Sequence, residues 1–367
     1  MKEHIVKLKN FYNQTPNAKI VQEEFGFYCL ERWTKEGHIN AQTDLNELFG
    51  YDKDAKYILR GLGWCEAAFS PCFEEEVLED RGECELVRDY VGRSVMYFKH
   101  SRSGYMPQYV DHPVKDMATW ENDIKWRLSP DSPERFANLS ETIQDIVQGQ
   151  KEGGLVCQHA MGGYMYLRSL IGPEDLFYKF YDEPELIHDC MKTWLALADR
   201  VTAEFQKFVT YDELFLAEDI CYNHGLLIAP DMVREFLFPY YRQLIANIKK
   251  RQLDKSRKLF LQIDTDGNCL EAIDMYKEIG LDYMSPFEVA SGSDVVEIRK
   301  KYPDLLMRGG FDKRILADSK EAIDREVDRI MPFMVAQGGY IPSCDHGVPE
   351  EVSFENYMHY RKRMLEF

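Results

Sequence analysis

After residue 150 the chain settles into one rhythm, and that rhythm restricts its fold more than any other feature. Short apolar runs occur at Leu155-Val156-Cys157, Leu214-Phe215-Leu216-Ala217, Leu259-Phe260-Leu261, Tyr283-Met284, Leu305-Leu306-Met307 and Tyr340-Ile341. Between them lie stretches with helical patterning, such as Met232 to Lys250, Cys269 to Ile279, Val295 to Tyr302 and Lys320 to Gln337. Strand and helix in alternation predict a parallel sheet with helices outside it. Two earlier apolar runs, Phe25 to Leu30 and Trp64 to Phe69, are read as the first and second strands, the latter stopped by Ser70-Pro71. Six strands plus two make eight, and the economical fold is α/β, a (β/α)8 TIM barrel. An open doubly wound sheet is the alternative, but no GxGxxG follows an early strand.

The first half is less regular. Residues 1–24 are polar with some helical spacing, an N-terminal helical segment expected on the outside. Leu45 to Leu62 reads as helix, interrupted at Gly50-Tyr51. Residues 73–115 break the rhythm. Cys84 to Tyr90, a Val-Gly-Arg turn and Ser94 to Phe98 suggest an inserted β-hairpin near 84–110, with a third extended piece at Pro107 to Val110. Trp120 to Arg127 and Phe136 to Glu152 read as helices. The whole of 1–367 is expected to be one domain.

Composition excludes several classes of partner. A net charge of −18 opposes binding to a nucleic-acid backbone or an anionic membrane surface. No apolar run approaches the ~20 residues of a membrane span, and the first residues hold no apolar signal core. Nine cysteines without a CxxC pair fit reduced thiols rather than a disulfide framework. The expected location is the cytoplasm and the expected partner a small molecule.

Each apolar run empties into polar residues. Cys157 leads to Gln158-His159 and on to Gly162-Gly163-Tyr164. Ala217 leads to Glu218-Asp219, and Leu261 leads to Asp264-Thr265-Asp266-Gly267-Asn268. Met284 leads to Ser285-Pro286-Phe287-Glu288, Met307 to Arg308-Gly309-Gly310-Phe311-Asp312-Lys313, and Ile341 to Cys344-Asp345-His346. In a barrel these ends converge on the face that carries the chemistry. Each residue also has a plainer reading. Asp264 and Asp266 suit a turn and a cap before the helix at Cys269. Glu218-Asp219 suit loop bracing. Arg308 suits neutralisation of a nearby acid, His159 a core position, and Asp312-Lys313 a surface pair.

These stretches carry a resemblance. Glu31-Arg32-Trp33-Thr34-Lys35-Glu36-Gly37, Ser132-Pro133-Glu134-Arg135, Gly162-Gly163 with Leu167-Arg168, Asp264 to Asn268, Gly309 to Lys313 and Asp345-His346-Gly347-Val348-Pro349 together resemble the uroporphyrinogen decarboxylase superfamily. The resemblance implies the (β/α)8 barrel and two chemistries: cofactor-free decarboxylation of uroporphyrinogen, and corrinoid-dependent methyl transfer at a zinc-bound nucleophile. True decarboxylases carry an arginine-rich segment after the first strand. Here only Arg32 matches it, and the rim is acidic where a polyanionic substrate wants cations. The methyltransferase branch binds zinc through His-x-Cys and a distant Cys. Here that spacing is held by Asp264-x-Asp266 and Cys344.

The resemblance therefore implies a methyltransferase-like enzyme, with the corrinoid supplied by a separate protein. Asp264, Asp266, Glu218, Glu288 and His346 are the implied acid-base and orienting groups. Arg168, Arg308, His159, Asp219 and Tyr164 are the implied substrate contacts. Asp264, Asp266, Cys344 and His346 are the implied ligands of a divalent metal such as zinc. Two hard carboxylates favour a different or weaker metal, and a metal-free acid-base site is the competing form. The runners-up are a decarboxylase of a small acid or tetrapyrrole precursor, and a non-catalytic barrel that binds a corrinoid or tetrapyrrole.

Overall fold

A computed structural model describes residues 2–100, 107–137 and 139–367. Part of the expected insertion (101–106) and position 138 of the helix expected over Phe136 to Glu152 lie outside the described residues.

Thirteen strands are described. Those of the central sheet are β1 (Lys56–Leu59), β6 (Leu155–Met161), β7 (Glu213–Ala217), β10 (Phe260–Asp264), β11 (Leu281–Ser285), β12 (Leu306–Arg308) and β13 (Tyr340–Ile341). They pair in that order, every pair parallel, as a curled barrel-like sheet of seven strands. All six strands expected after residue 150 are present, so their polar ends share one edge. The remaining strands are β2 (Glu76–Arg81), β3 (Cys84–Arg88), β4 (Ser94–Phe98) and β5 (Gln108–Asp111), and the short pair β8 (Cys221–Tyr222) and β9 (Gly225–Leu226).

The two faces of the sheet differ in chemistry. Val156, Leu214, Leu216, Leu261, Ile263, Met284, Met307 and Tyr340 join the main hydrophobic core. Alternate residues point to the inner face, because successive strand side chains face opposite ways. There the register sets His159 beside Phe215, Phe215 beside Gln262, Ala217 beside Asp264, and Asp264 beside Ser285. The N-terminal helix Glu3–Tyr12 closes the other end of this face, its Ile5, Leu8, Phe11 and Tyr12 packing with Leu155, Tyr283, Leu306 and Ile341.

The first half departs from expectation in four places. Phe25 to Leu30 is not a strand. It makes a single parallel bridge, Phe27 to Val348, and then enters the helix Leu30–Lys35. Its backbone is tied to the loop after β13: the Val348 amide donates to the Gly26 carbonyl and the Tyr28 amide to the Val348 carbonyl, both at 2.8 Å. Trp64 to Phe69 is not a strand either, since Gly61 and Gly63 take φ of +103° and +75° and turn the chain away from the sheet. The helix expected to Leu62 stops at Phe49, where Gly50 at φ +67° ends it. The first core strand, Lys56–Leu59, follows, because pairing with β6 outweighs helical spacing in Tyr57-Ile58-Leu59. The expected hairpin is a four-stranded antiparallel sheet, β2 to β5. Its first strand is exposed along its whole length, so no polar-apolar alternation announced it.

Downstream, the one helix expected over Met232 to Lys250 is two, Pro230–Phe236 and Phe238–Arg251. Pro239 lies in the first turn of the second; it has no N–H to bond the Glu235 carbonyl and its ring crowds that carbonyl, so the first helix cannot run on through it.

Candidate active site

The loop after β6 is pressed against the end of β7. The Gly162 amide donates to the Ala217 carbonyl at 2.7 Å. A Cβ on Gly162 would lie 2.3 Å from Glu218 Oε2, so only glycine admits this approach. Glu218 is fully buried. Its Oε1 accepts the Tyr164 amide at 2.9 Å and its Oε2 the Tyr241 hydroxyl at 2.5 Å. Burial pushes its carboxyl up to about 7, although both hydrogen bonds favour the ionised form. Asp219 follows at φ +44°, unusual for a residue with a side chain. The Glu218 and Asp219 amides both donate to the Asp264 carbonyl, at 2.9 and 3.1 Å. That fork turns the Asp219 carboxylate to Arg168, 2.5 Å away. The Tyr164 hydroxyl beside them is buried and without a hydrogen-bond partner among the described residues.

Asp264 ends β10. It accepts the Ser285 hydroxyl at 2.5 Å, and Ser285 in turn accepts Gln262 Nε2 at 2.8 Å. Burial raises its carboxyl to about 6, against the pull of that bond and of Arg308. Asp266, two residues on, is raised to about 7, by burial first and then by Asp219, Asp264 and Glu288. Water still reaches 43% of its side chain, so solvent tempers that shift. Neither aspartate caps the helix Leu270–Tyr276; Cys269 stands at its N-cap, and the Asn268 side chain just before it accepts the Leu270 amide at 3.2 Å.

Glu288 accepts the Gly267 amide at 3.0 Å and Lys313 Nζ at 3.2 Å. Lys313 thus belongs to the rim rather than to a surface pair, while Asp312 turns to Arg314. Asp345, fully buried, accepts the Val289 amide at 3.0 Å and the Lys313 amide at 3.1 Å, tying the loops after β11 and β12 together. His346 packs between the rings of Phe25 and Tyr28, with Nε2 3.8 Å from Asp266 Oδ2. Burial lowers its pKa, which keeps the ring neutral.

The metal set expected of Asp264, Asp266, Cys344 and His346 is not assembled. Among the described residues no three His, Cys, Asp or Glu side chains are grouped to hold a metal ion. Cys344 is fully buried in the hydrophobic core, bridged to Phe311, and burial pushes its thiol up. Asp264 is engaged with Ser285. The donors present do not fit zinc, and no step below runs through a metal.

A cleft of about 440 Å³ enters the inner face along the gap between β1 and β13. Asp264, Arg308, His159 and Phe215 line it, with Trp64 and Lys56. Arg308 pairs with Glu23 at 2.6 Å. Among residues expected at the site, the cleft brings together Asp264, Arg308 and His159. Asp219 and Arg168 form a pair joined to Asp264 through the backbone, and Asp266, Glu288 and His346 sit on the rim. Trp64, Lys56, Glu23 and Glu213 were missed. Lys56-x-Ile58 and Glu213-x-Phe215 carried a signal, since a charge alternating with apolar residues in a buried strand must face a polar interior.

A parallel curled sheet with carboxyl groups at its strand ends defines the class, and comparison with known proteins places it. The family model for uroporphyrinogen decarboxylase (URO-D) matches residues 99–366, and the chain belongs to that family. The uroporphyrinogen decarboxylase of Geobacter metallireducens is 23% identical over 178 residues, 47% of this chain and 49% of that protein. That of a Hydrogenobaculum species is 23% identical over 127 residues, 35% of this chain and 34% of that one. The chain thus spans half or less of the curated relatives it matches. A methyltransferase from Methanosarcina mazei shares the fold over 99% of this chain and 98% of its own, with a TM-score of 0.59 and 14% identity. No helix among the described residues is long and apolar enough to cross a membrane.

Proposed function

We propose that the chain is a methyltransferase-like enzyme of its family, built as a (β/α)8 barrel in which residues 20–28 stand in the eighth strand position. The observation that carries the reading is Asp264: its carboxyl opens into the cleft and holds its proton to about pH 6. Taking a methyl group from a small methoxy or methylamine compound breaks a C–O or C–N bond. The leaving oxygen or nitrogen then needs a proton, and a buried acid poised near neutrality can donate it. Ser285 orients the Asp264 carboxyl. Asp266, at the water-exposed rim beside His346, is placed to carry the replacement proton. Arg308 and the Arg168–Asp219 pair steady a polar substituent. A corrinoid carried by a separate protein would take up the methyl group.

Decarboxylation of uroporphyrinogen is disfavoured by the position of Arg32. It lies outside the cleft on the helix Leu30–Lys35, donating to Glu36 and to the Glu350 carbonyl. The test mixes the protein with methoxy and methylamine donors and reduced cobalamin, and follows methylcobalamin by absorbance. Methyl transfer is expected, falling about a hundredfold or more in Asp264→Asn. Release of CO2 from uroporphyrinogen at about one turnover per second, without methyl transfer, would assign the chain to the decarboxylases. Ligand retention without turnover would make it a binding barrel.

A further inference from the structure

Trp64, His159 and Phe215 form an unusual wall in the cleft. His159 and Phe215 are direct neighbours in the β6–β7 register, and their rings stack at 4.4 Å and 26°. Trp64, from the turn after β1, lies over both, 5.6 Å from His159 at 22° and 5.4 Å from Phe215 at 6°. The three rings are nearly parallel, and 43% of Trp64 remains exposed. One strand register further along, Ala217 stands beside Asp264 with only a methyl group, which keeps side-chain bulk away from the carboxyl. His159 Nδ1 is buried and has no hydrogen-bond partner among the described residues.

We propose that this cleft binds a planar aromatic ring stacked on the free face of Trp64, with the ring's polar substituents directed to Asp264. The inference rests on the methyl-transfer reading only in making the transferred group an aryl methoxy group; the stacking site stands without it. Aromatic rings favour parallel offset stacks, and a flat ligand continues the one already built. A methylated ammonium would call for rings set around a point, each face towards the cation. Near-parallel rings offer no such cage. A small aliphatic ether has no face to stack and would leave the Trp64 surface wet. The Asp264 carboxyl, which lines the same cleft, is the polar group that fixes orientation beside an otherwise apolar wall.

Calorimetric titration of the whole protein with methoxyphenol, methoxyethanol and tetramethylammonium tests the inference. Methoxyphenol is expected to bind at least tenfold more tightly than either of the others. Trp64→Ala should weaken it about tenfold, and Trp64→Phe, which restores a ring, should recover most of the loss. Trp64 is half exposed and outside the main core, so both variants should melt like the wild type. Equal binding of the three probes, tighter binding of tetramethylammonium, no binding of any, or an unchanged affinity in Trp64→Ala would each overturn it. Methoxyphenol bound as expected but never demethylated would uphold the stacking site and defeat the methyl-transfer reading instead.

Discussion

A carboxyl that folding removes from water keeps its proton to higher pH, and this makes Glu218 a sensor of the fold's own stability. Its pKa rises from 4.5 to about 7, so between those values the folded chain binds more protons than the unfolded one. The stability that Glu218 contributes is therefore full below about pH 4.5 and is lost as pH rises through about 7. Asp264 and Asp266 add to the loss with the same sign, towards about 6 and about 7. Glutamine at 218 imitates the protonated acid and cannot ionise. The wild-type melting temperature should fall between pH 5 and pH 8, and the fall should be visibly smaller in Glu218→Gln. The expected difference in free energy is about 1–3 kcal/mol at pH 8, given ~1.4 kcal/mol per pKa unit. Parallel pH profiles for the two proteins would show that Glu218 is ionised at neutral pH.

At the scale of elements, the inserted sheet depends on one buried hub. Asp89 accepts the Val91 amide at 3.1 Å, the Arg93 amide at 2.8 Å and Arg93 Nε at 2.8 Å. Arg93 reaches on to Glu66, 3.2 Å away, close to Trp64 in the turn after β1. Asp89 and Arg93 are both buried, so removing Asp89 takes the acceptor from two backbone amides and leaves Arg93 to its longer pair with Glu66. Asp89→Ala should destabilise β2 to β5 by about 3–5 kcal/mol locally. Amide exchange should speed up over residues 76–98 while β6, β7 and β10 keep their protection. Uniform loss of protection would mean that insert and central sheet unfold as one unit.

The whole molecule is closed at one end by an ion pair that joins distant parts of the chain. Lys56 on β1 donates to both oxygens of Glu213 on β7, at 2.9 and 3.0 Å, and Cys157 Sγ on β6 donates at 2.9 Å. Tyr12, from the N-terminal helix, adds its hydroxyl to the same carboxylate. Lys56 also lies over the Tyr12 and Tyr283 rings, 5.4 Å from each centroid. Lys56→Met would leave Glu213, 1% exposed, as an uncompensated buried charge. Denaturant melts should show a loss of about 3–5 kcal/mol. Adding Glu213→Gln to that variant should restore part of it. A loss in the double variant equal to the sum of the single ones would show that the pair does not interact.

The second half of the chain was legible because its strands are buried on both faces and separated by amphipathic helices. Local spacing alone therefore marked β6, β7, β10, β11, β12 and β13 and placed Glu218, Asp264, Asp266, Glu288 and Arg308 at their ends. The first half was not. Residues 25–30 are as apolar as a strand, yet Glu23 and Glu24 turn inward to Arg308 and the Cys344 amide, and those contacts replace a ladder. Lys56–Leu59 looked helical until β6 was there to pair with it. Spacing put Cys344 in a ligand's place, but it says nothing of direction; packing against Phe311 sends the thiol into the core. The stack of Trp64, His159 and Phe215 joins residues 64, 159 and 215, and only strand register sets them face to face. What the sequence determines by itself is whatever depends on a residue's near neighbours. Which side chains share a cleft, which acids lose their water and which cations they meet depend on contacts between separate strands and loops well beyond a residue's near neighbours, and the tertiary structure alone decides them.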